Sequence, residues 1–370
     1  FKQICKKTIC FDINKCIFTD QIFIQSMKSL LIISALSLVG SCTTTKYSTK
    51  IDNLQSSIVV TDSATVSKYA NTITAEEVKT QIFEVASDTF NGREVGTKGQ
   101  KLAANYIKDF YIKENILSAN DSSYFQHIPK SFLPKKYNAS ENVVAYIKGE
   151  ENPEELLIIS GHFDHLGVSH GEVNYGADDN GSGTVAMLQI AQAFKKAERD
   201  GISPKRSILF LHLTAEEIGL QGSLYYTQNP LFPLENTIAD LNIDMIGRVD
   251  EKHKDNPDYI YLIGADRISK ELHFISEKVN STSTNIELDY KFNEKDDPNR
   301  YYFRSDHYNF AQEGIPVIFY FNGTHADYHK PSDTPDKINY KLLTKRAQLI
   351  FSTAWYLANK EGDLIHNEDI

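Results

Sequence analysis

Five short stretches combine histidine, aspartate and glutamate in ways that suit metal binding and proton transfer. In Gly161-His162-Phe163-Asp164-His165, period-two alternation puts His162 and Asp164 on one face. Asp164 can then hold the far ring nitrogen of a metal-bound His162, fixing its tautomer and basicity. His165 points the other way and reads as a structural or solvent-facing histidine. Gly176-Ala177-Asp178-Asp179-Asn180-Gly181-Ser182-Gly183 opens a helical segment, so its two acids either cap that helix or carry a carboxylate that bridges two cations. In Thr214-Ala215-Glu216-Glu217 consecutive side chains diverge, so that one glutamate can bind metal while the other faces substrate as a general base. A solvated surface pair is the competing reading, weakened by the apolar run before these acids and by Gly219 and Gly222 after them. Asp244 interrupts the apolar run Ile243–Ile246, where a charge seldom stays buried without a partner or a metal. The fifth stretch, Thr324–Thr334, holds His325 and His329, one of which would complete the set.

Imidazole and carboxylate donors without thiolate suit Zn²⁺, with Mn²⁺ or Co²⁺ able to substitute. Two histidines and three acids are too many for one tetrahedral zinc. They fit two ions about 3.5–4 Å apart that share a bridging carboxylate and a water.

The elements that must carry these residues are legible from periodicity. Residues 97–113 place Leu102, Ala103, Tyr106, Ile107 and Phe110 at helical spacing, and residues 182–198, 267–280 and 341–359 also read as helices. Residues 141–149 form a strand. The continuous apolar runs 156–160, 207–213, 238–246 and 316–321 read as further strands, those at 156–160 and 207–213 central and buried on both faces. Strand–helix alternation predicts a single α/β domain over 71–362, with a mostly parallel central sheet and helices on both faces, and a short tail at 363–370. The candidate residues follow the carboxyl ends of the strands, where open α/β sheets place their sites.

The 370 residues, 41% hydrophobic and 24% charged, exclude a disordered or collagen-like chain. A net charge of −10 argues against a nucleic-acid partner. Residues 27–42, MKSLLIISALSLVGSC, have a short basic start, ten apolar residues and a small-residue site before Cys42. The apolar stretch is too short to span a bilayer and reads as an export signal. Its cysteine resembles that of a bacterial lipoprotein signal, which makes Cys42 a lipidation site and a lipid anchor the only expected membrane contact. Residues 1–26 fit no signal feature and read as an over-extended gene model. Cys5, Cys10 and Cys16 lie there, and no cysteine follows Cys42. The Ser- and Thr-rich stretch 43–70 reads as a flexible tether. The expected location is the cell envelope, periplasmic or on the outer surface.

GHFDHLG (161–167), GADDNGSG (176–183), AEEIGLQGS (215–223), NIDMIGR (242–248), RSDHYNF (304–310) and YHKPSDTPDK (328–337) occur in the order found in the co-catalytic dizinc aminopeptidases, and residues 75–360 resemble that family. The family includes secreted bacterial leucine aminopeptidases, plasma glutamate carboxypeptidase, glutaminyl cyclases and the catalytically dead transferrin receptor. The resemblance implies that His162 and Asp244 bind one zinc, Glu217 and His329 the other, and that Asp178 bridges. It makes Asp164 the residue that orients His162 and Glu216 the general base. Tyr302 and His307 become candidates for contact with the oxyanion or substrate. The implied activity is removal of N-terminal residues from peptides with a free N-terminus. A carboxypeptidase and a single-zinc glutaminyl cyclase are the alternatives within the family. Against the cyclase, Tyr328 stands where its pocket carries a tryptophan, and the only tryptophan, Trp355, falls in the last helix.

Overall fold

The computed structural model describes residues 47–370; the expectations for residues 1–26, for the signal at 27–42 and for Cys42 lie outside the described residues. The described part of a first unit is a helical stretch at 47–57, and the second unit runs Ile58–Asp369.

The second unit begins with helices α1 (Ser63–Ala70), α2 (Ala75–Val85) and α3 (Lys98–Glu114). Thr74 and Thr97 cap α2 and α3 by accepting backbone N–H groups of Glu77 and Gln100, and α3 stops at Asn115 in the left-handed region. Strands β1 (Leu117–Ser118), β2 (Phe125–Ile128), β3 (Ser140–Ile147) and β4 (Asn152–His162) follow, then a small hairpin of β5 (Val168–Ser169) and β6 (Glu172–Val173). Next come α4 (Gly183–Arg199), β7 (Arg206–Leu213), α5 (Gln221–Gln228), β8 (Thr237–Ile243) and β9 (Tyr259–Ile263). The chain ends with α6 (Lys270–Thr282), β10 (Glu287–Asp289), α7 (His307–Gln312), β11 (Val317–Phe321) and α8 (Tyr340–Asn359).

The main sheet runs β1-β3-β7-β4-β8-β11-β9-β10, with β2 also paired to β3. Its centre, β7-β4-β8-β11, is parallel, while β3 joins β7 and β9 joins β11 antiparallel. Alternation along the strands feeds two cores. Leu157, Ile159, Ile208 and Phe210 face the side covered by α1–α4, α6 and α8. Leu156, Ile158, Leu209 and Leu211 face the side carrying Tyr226 of α5 and Phe310 of α7. Burying each such side chain contributes roughly 1.5–3 kcal/mol. The predicted α/β architecture, with its parallel centre and helices on both faces, is therefore present.

Two boundaries move. The tether expected over 43–70 does not extend through 58–70, where Ile58, Val66, Tyr69 and Ala70 are buried in the core. Tyr69 stacks on Trp355, whose indole N–H donates to Asp62 at 2.6 Å. The large apolar side chains that justify this packing are few but well spaced, which composition alone conceals. The tail expected at 363–370 is also docked: Leu364 is buried, Ser269 Oγ donates to the Ile365 carbonyl, and Asn367 caps the start of α6.

Candidate active site

The candidate residues gather beyond the carboxyl ends of β4, β7, β8 and β11. His162 ends β4, and its Nε2 lies 3.2 Å from Asp244 Oδ1 and 3.4 Å from Asp179 Oδ1. His329, in the segment after β11, has Nε2 3.2 Å from Asp179 Oδ2 and 3.3 Å from Glu217 Oε2. The two oxygens of Asp179 thus face different histidines. One donor group is His162, Asp179 and Asp244; the other is His165, Asp179 and Glu217, with His329 facing it. His165 is correspondingly not solvent-facing, since its ring lies buried with Nδ1 2.7 Å from Glu217 Oε1.

Asp178, expected as the bridge, is turned away. Its Oδ1 accepts the Gly247 N–H at 2.6 Å and its Oδ2 lies 3.1 Å from His325 Nε2. The turn is fixed by Asp333, whose Oδ2 accepts the backbone N–H groups of both Asp178 and Asp179. Asn180 ties it to the end of β8, donating to the Ile243 carbonyl and accepting from Gly183 and Met245. Gly176 is required there: its φ is +54°, and a Cβ would stand 2.1 Å from the Asp179 carbonyl oxygen.

Asp164 lies behind His162. Its backbone carbonyl, 3.2 Å from His162 Nδ1, makes the direct contact, and its carboxylate stands at 3.7 Å while accepting the Glu216 N–H. Ser305 donates to Asp244 Oδ2 at 2.8 Å and accepts from Asn242, so the Ser-Asp-His stretch supports a ligand from behind. Asp306 is tied to Ser223 rather than to the cleft. Arg93, which the sequence did not single out, is fully buried and donates to the carbonyls of Val85, Phe163, Tyr175 and Gly176. Burial lowers its pKa to about 10, and the neighbouring acids, Asp179 first, keep it charged.

The electrostatics call for cations. Burial opposes charge on His162, yet Asp244 and Glu216 outweigh it and hold its pKa well above the ordinary value. His329 is pushed up to about 10, where Asp179 and Glu217 overcome its desolvation. Burial would raise Glu217, but hydrogen bonds from His165 and His329 pull it far below the carboxylate range. Glu216 is raised well above the ordinary value by burial, then by Glu217 and Asp244. Protons on the imidazoles balance these carboxylates where a hard or borderline cation with N and O donors fits. A third donor group, His253, Glu287 and Asp289, lies at the β9–β10 edge, where Lys252 already pairs with Asp289.

The cleft beside these groups is lined by Asp179, Glu216, Asp244, Tyr301, Tyr328 and His329, with Arg304 and Phe319 among the others. Tyr302 and His307 are not part of it. His307 is fully buried, stacked on Phe319 at 4.8 Å, with neither ring nitrogen hydrogen-bonded and its pKa lowered to about 3 by burial. Tyr302 lies under the Arg267 guanidinium, 3.7 Å from its ring centroid. Tyr328, stacked on His329 at 3.8 Å, takes the place by the metal donors that Tyr302 was expected to hold. Its position next to His329 was the available signal. A larger groove of about 860 Å³ between α2, α3 and α4, lined by Glu77, Tyr106, Gln189 and Lys196 among others, contains none of the donors.

An α/β sheet with two carboxylate–imidazole groups at its carboxyl edge defines a metal-dependent class of protein. Residues 142–354 match the model of Peptidase family M28, and the chain belongs to that family. Leupeptin-inactivating enzyme 1 of Streptomyces exfoliatus is 29% identical over 259 residues, covering 70% of this chain and 50% of that protein. "Probable glutamate carboxypeptidase LAMP1" of Arabidopsis thaliana is 35% identical over 105 residues, 28% of this chain and 14% of that one. The chain thus spans half or less of the length of these curated relatives. The Legionella pneumophila LapA aminopeptidase structure shares the fold, with a TM-score of 0.63 at 20% identity over 82% of this chain and 76% of that one.

Proposed function

We propose that the protein is a zinc-dependent aminopeptidase that hydrolyses N-terminal residues from peptides, using two ions. The observation that carries this reading is Asp179, whose two carboxylate oxygens face separate histidines beside a cleft that Glu216 lines. His162, Asp179 and Asp244 would hold one ion, and Asp179, Glu217 and His329 the other, with His165 backing Glu217. Bound zinc supplies Lewis acidity to the scissile carbonyl and lowers the pKa of water. Glu216 takes the proton from the attacking water on its carboxylate and passes it to the leaving amine. The Glu216 N–H bond to Asp164 and the bond from Ser305 to Asp244 hold base and ligand in register. Tyr328 keeps its phenolic proton because burial, then Asp179 and Glu217, oppose ionisation, so its hydroxyl is a donor for the developing oxyanion.

The relatives include both exopeptidase directions by name, and the buried carboxylates facing the cleft favour a substrate that presents a free amine. The cleft lining contains no tryptophan, and Trp355 packs on Tyr69 and Phe194, which speaks against the cyclase alternative. Export with a lipid anchor at Cys42 rests on the 27–42 sequence. Among the described residues, no helix is long and apolar enough to cross a membrane.

The test is Glu216→Gln. The variant is expected to retain zinc, measured by elemental analysis, while kcat on leucyl peptides falls by at least about 10²-fold. Near-normal turnover would remove Glu216 from the base role.

A further inference from the structure

Within the reading of the cleft as a peptidase site, we infer that Arg304 forms a carboxylate-binding subsite at its wall. Arg304 follows the turn Tyr301–Phe303 and directly precedes Ser305 and Asp306, whose side chains bond Asp244 and take the bond from Ser223. Its backbone is therefore registered to the metal donors. The guanidinium carbon sits 5.0 Å from the Tyr301 ring centroid and Nη2 lies 3.4 Å from the Tyr328 hydroxyl. Both tyrosines line the same cleft as Asp179, Glu216 and Asp244.

Among the described residues Arg267, Arg300 and Arg304 all lack a carboxylate partner, but of these Arg304 is the one that lines the cleft. It is also exposed. Nearby Arg248, by contrast, is paired with Asp327 and stands 3.7 Å from Asp333. Arg93, Arg206 and Arg346 are buried and donate mainly to backbone carbonyls, and Arg206 also pairs with Glu155. Arg304 is braced by the Tyr301 ring and by one long hydrogen bond from Nη2 to the Tyr328 hydroxyl, which leaves Nε and Nη1 without a partner among the described residues, and it shares the lining with the acids Asp179, Glu216 and Asp244. A guanidinium so placed matches a carboxylate bidentately.

The ligand chemistry is a substrate carboxylate. It comes either from an aspartate or glutamate side chain at the N-terminal residue or from the C-terminus of a di- or tripeptide. Two matched pairs separate these sources: Glu-Leu-NH₂ against Gln-Leu-NH₂, and Leu-Leu against Leu-Leu-NH₂. Calorimetry on the zinc-loaded Glu216→Gln protein, with and without Arg304→Gln or Arg304→Lys, reads the acid-to-amide affinity ratio in each pair without turnover. The expected result is an acid preference of about 10-fold or more in one pair, the scale of a charge-assisted bond. That preference should fall towards unity in Arg304→Gln and only partly in Arg304→Lys. Absence of acid preference in both pairs, or a preference that survives Arg304→Gln, overturns the subsite. Turnover is read separately. A protein that removes no N-terminal residue yet shows an Arg304-dependent acid preference would sink the aminopeptidase reading and leave the subsite standing.

Discussion

Asp178 and Asp179 are adjacent and chemically identical, yet the fold gives them opposite tasks. The Gly247 N–H and His325 hold Asp178 away from the cleft, and Asp179 is left facing His162 and His329. The acidic turn is legible in the sequence, but which of its two acids faces the histidines is not, because that choice depends on β8 and on Asp333, 155 residues downstream of Asp178. Of the two readings of His165, structural or solvent-facing, burial against Glu217 removes the second, and the direction of its side chain is not legible because strand alternation stops applying once β4 ends at His162. Asp179→Asn should lower bound zinc by at least one equivalent, whereas Asp178→Asn should retain it; elemental analysis of the two variants compares them directly. Asp240 offers a second test at this scale. Its fully buried carboxyl accepts from Ser160 at 2.6 Å, and burial, helped by Asp306, raises its pKa to about 8. The folded protein keeps a proton that the unfolded chain releases, so this group erodes stability as pH rises from about 4 to 8, by roughly 1 kcal/mol per pH unit. Asp240→Asn should flatten that slope, gaining on the parent as pH rises through this window in urea unfolding.

The strands that aim the site were legible because they are continuous apolar runs with buried faces on both sides. The observed β4 and β7 contain the runs expected at 156–160 and 207–213, and α3, α4 and α8 agree with their periodic segments to within a residue or two. The run expected to extend to 246 stops earlier, since β8 ends at Ile243 and Met245 turns into the left-handed region at φ +57°. That break releases Asp244 from the strand pattern and lets it meet His162. What periodicity does not reveal is the fastening of the loops. Arg93 joins carbonyls of four separate positions, 8 to 83 residues away, and no local pattern marks it. Arg93→Ala leaves the carbonyls of Val85, Phe163 and Tyr175 without this donor, at about 1–3 kcal/mol each before relaxation, while Gly176 keeps the Gly181 N–H. A stability loss of about 3 kcal/mol or more by denaturant titration is expected, together with weaker zinc retention. A loss below about 0.5 kcal/mol, the scale of an ordinary surface substitution, would show that the loops are held otherwise.

At the scale of the whole molecule, composition placed the chain in the globular class, and motif order pointed to the Peptidase family M28 to which it belongs. Composition failed at 58–70, where a few aromatic and branched side chains anchor a polar segment onto α8. An aminopeptidase centre built on a shared carboxylate removes residues from free N-termini. The most direct measurement is mass spectrometry of the zinc-loaded protein acting on peptides with free, N-acetylated and N-terminal glutamine ends, with and without chelator. The expected result is stepwise, chelator-sensitive loss of single residues from free N-termini only. Trimming of acetylated peptides from their carboxyl ends, or a 17-unit loss from glutamine peptides alone, would contradict it.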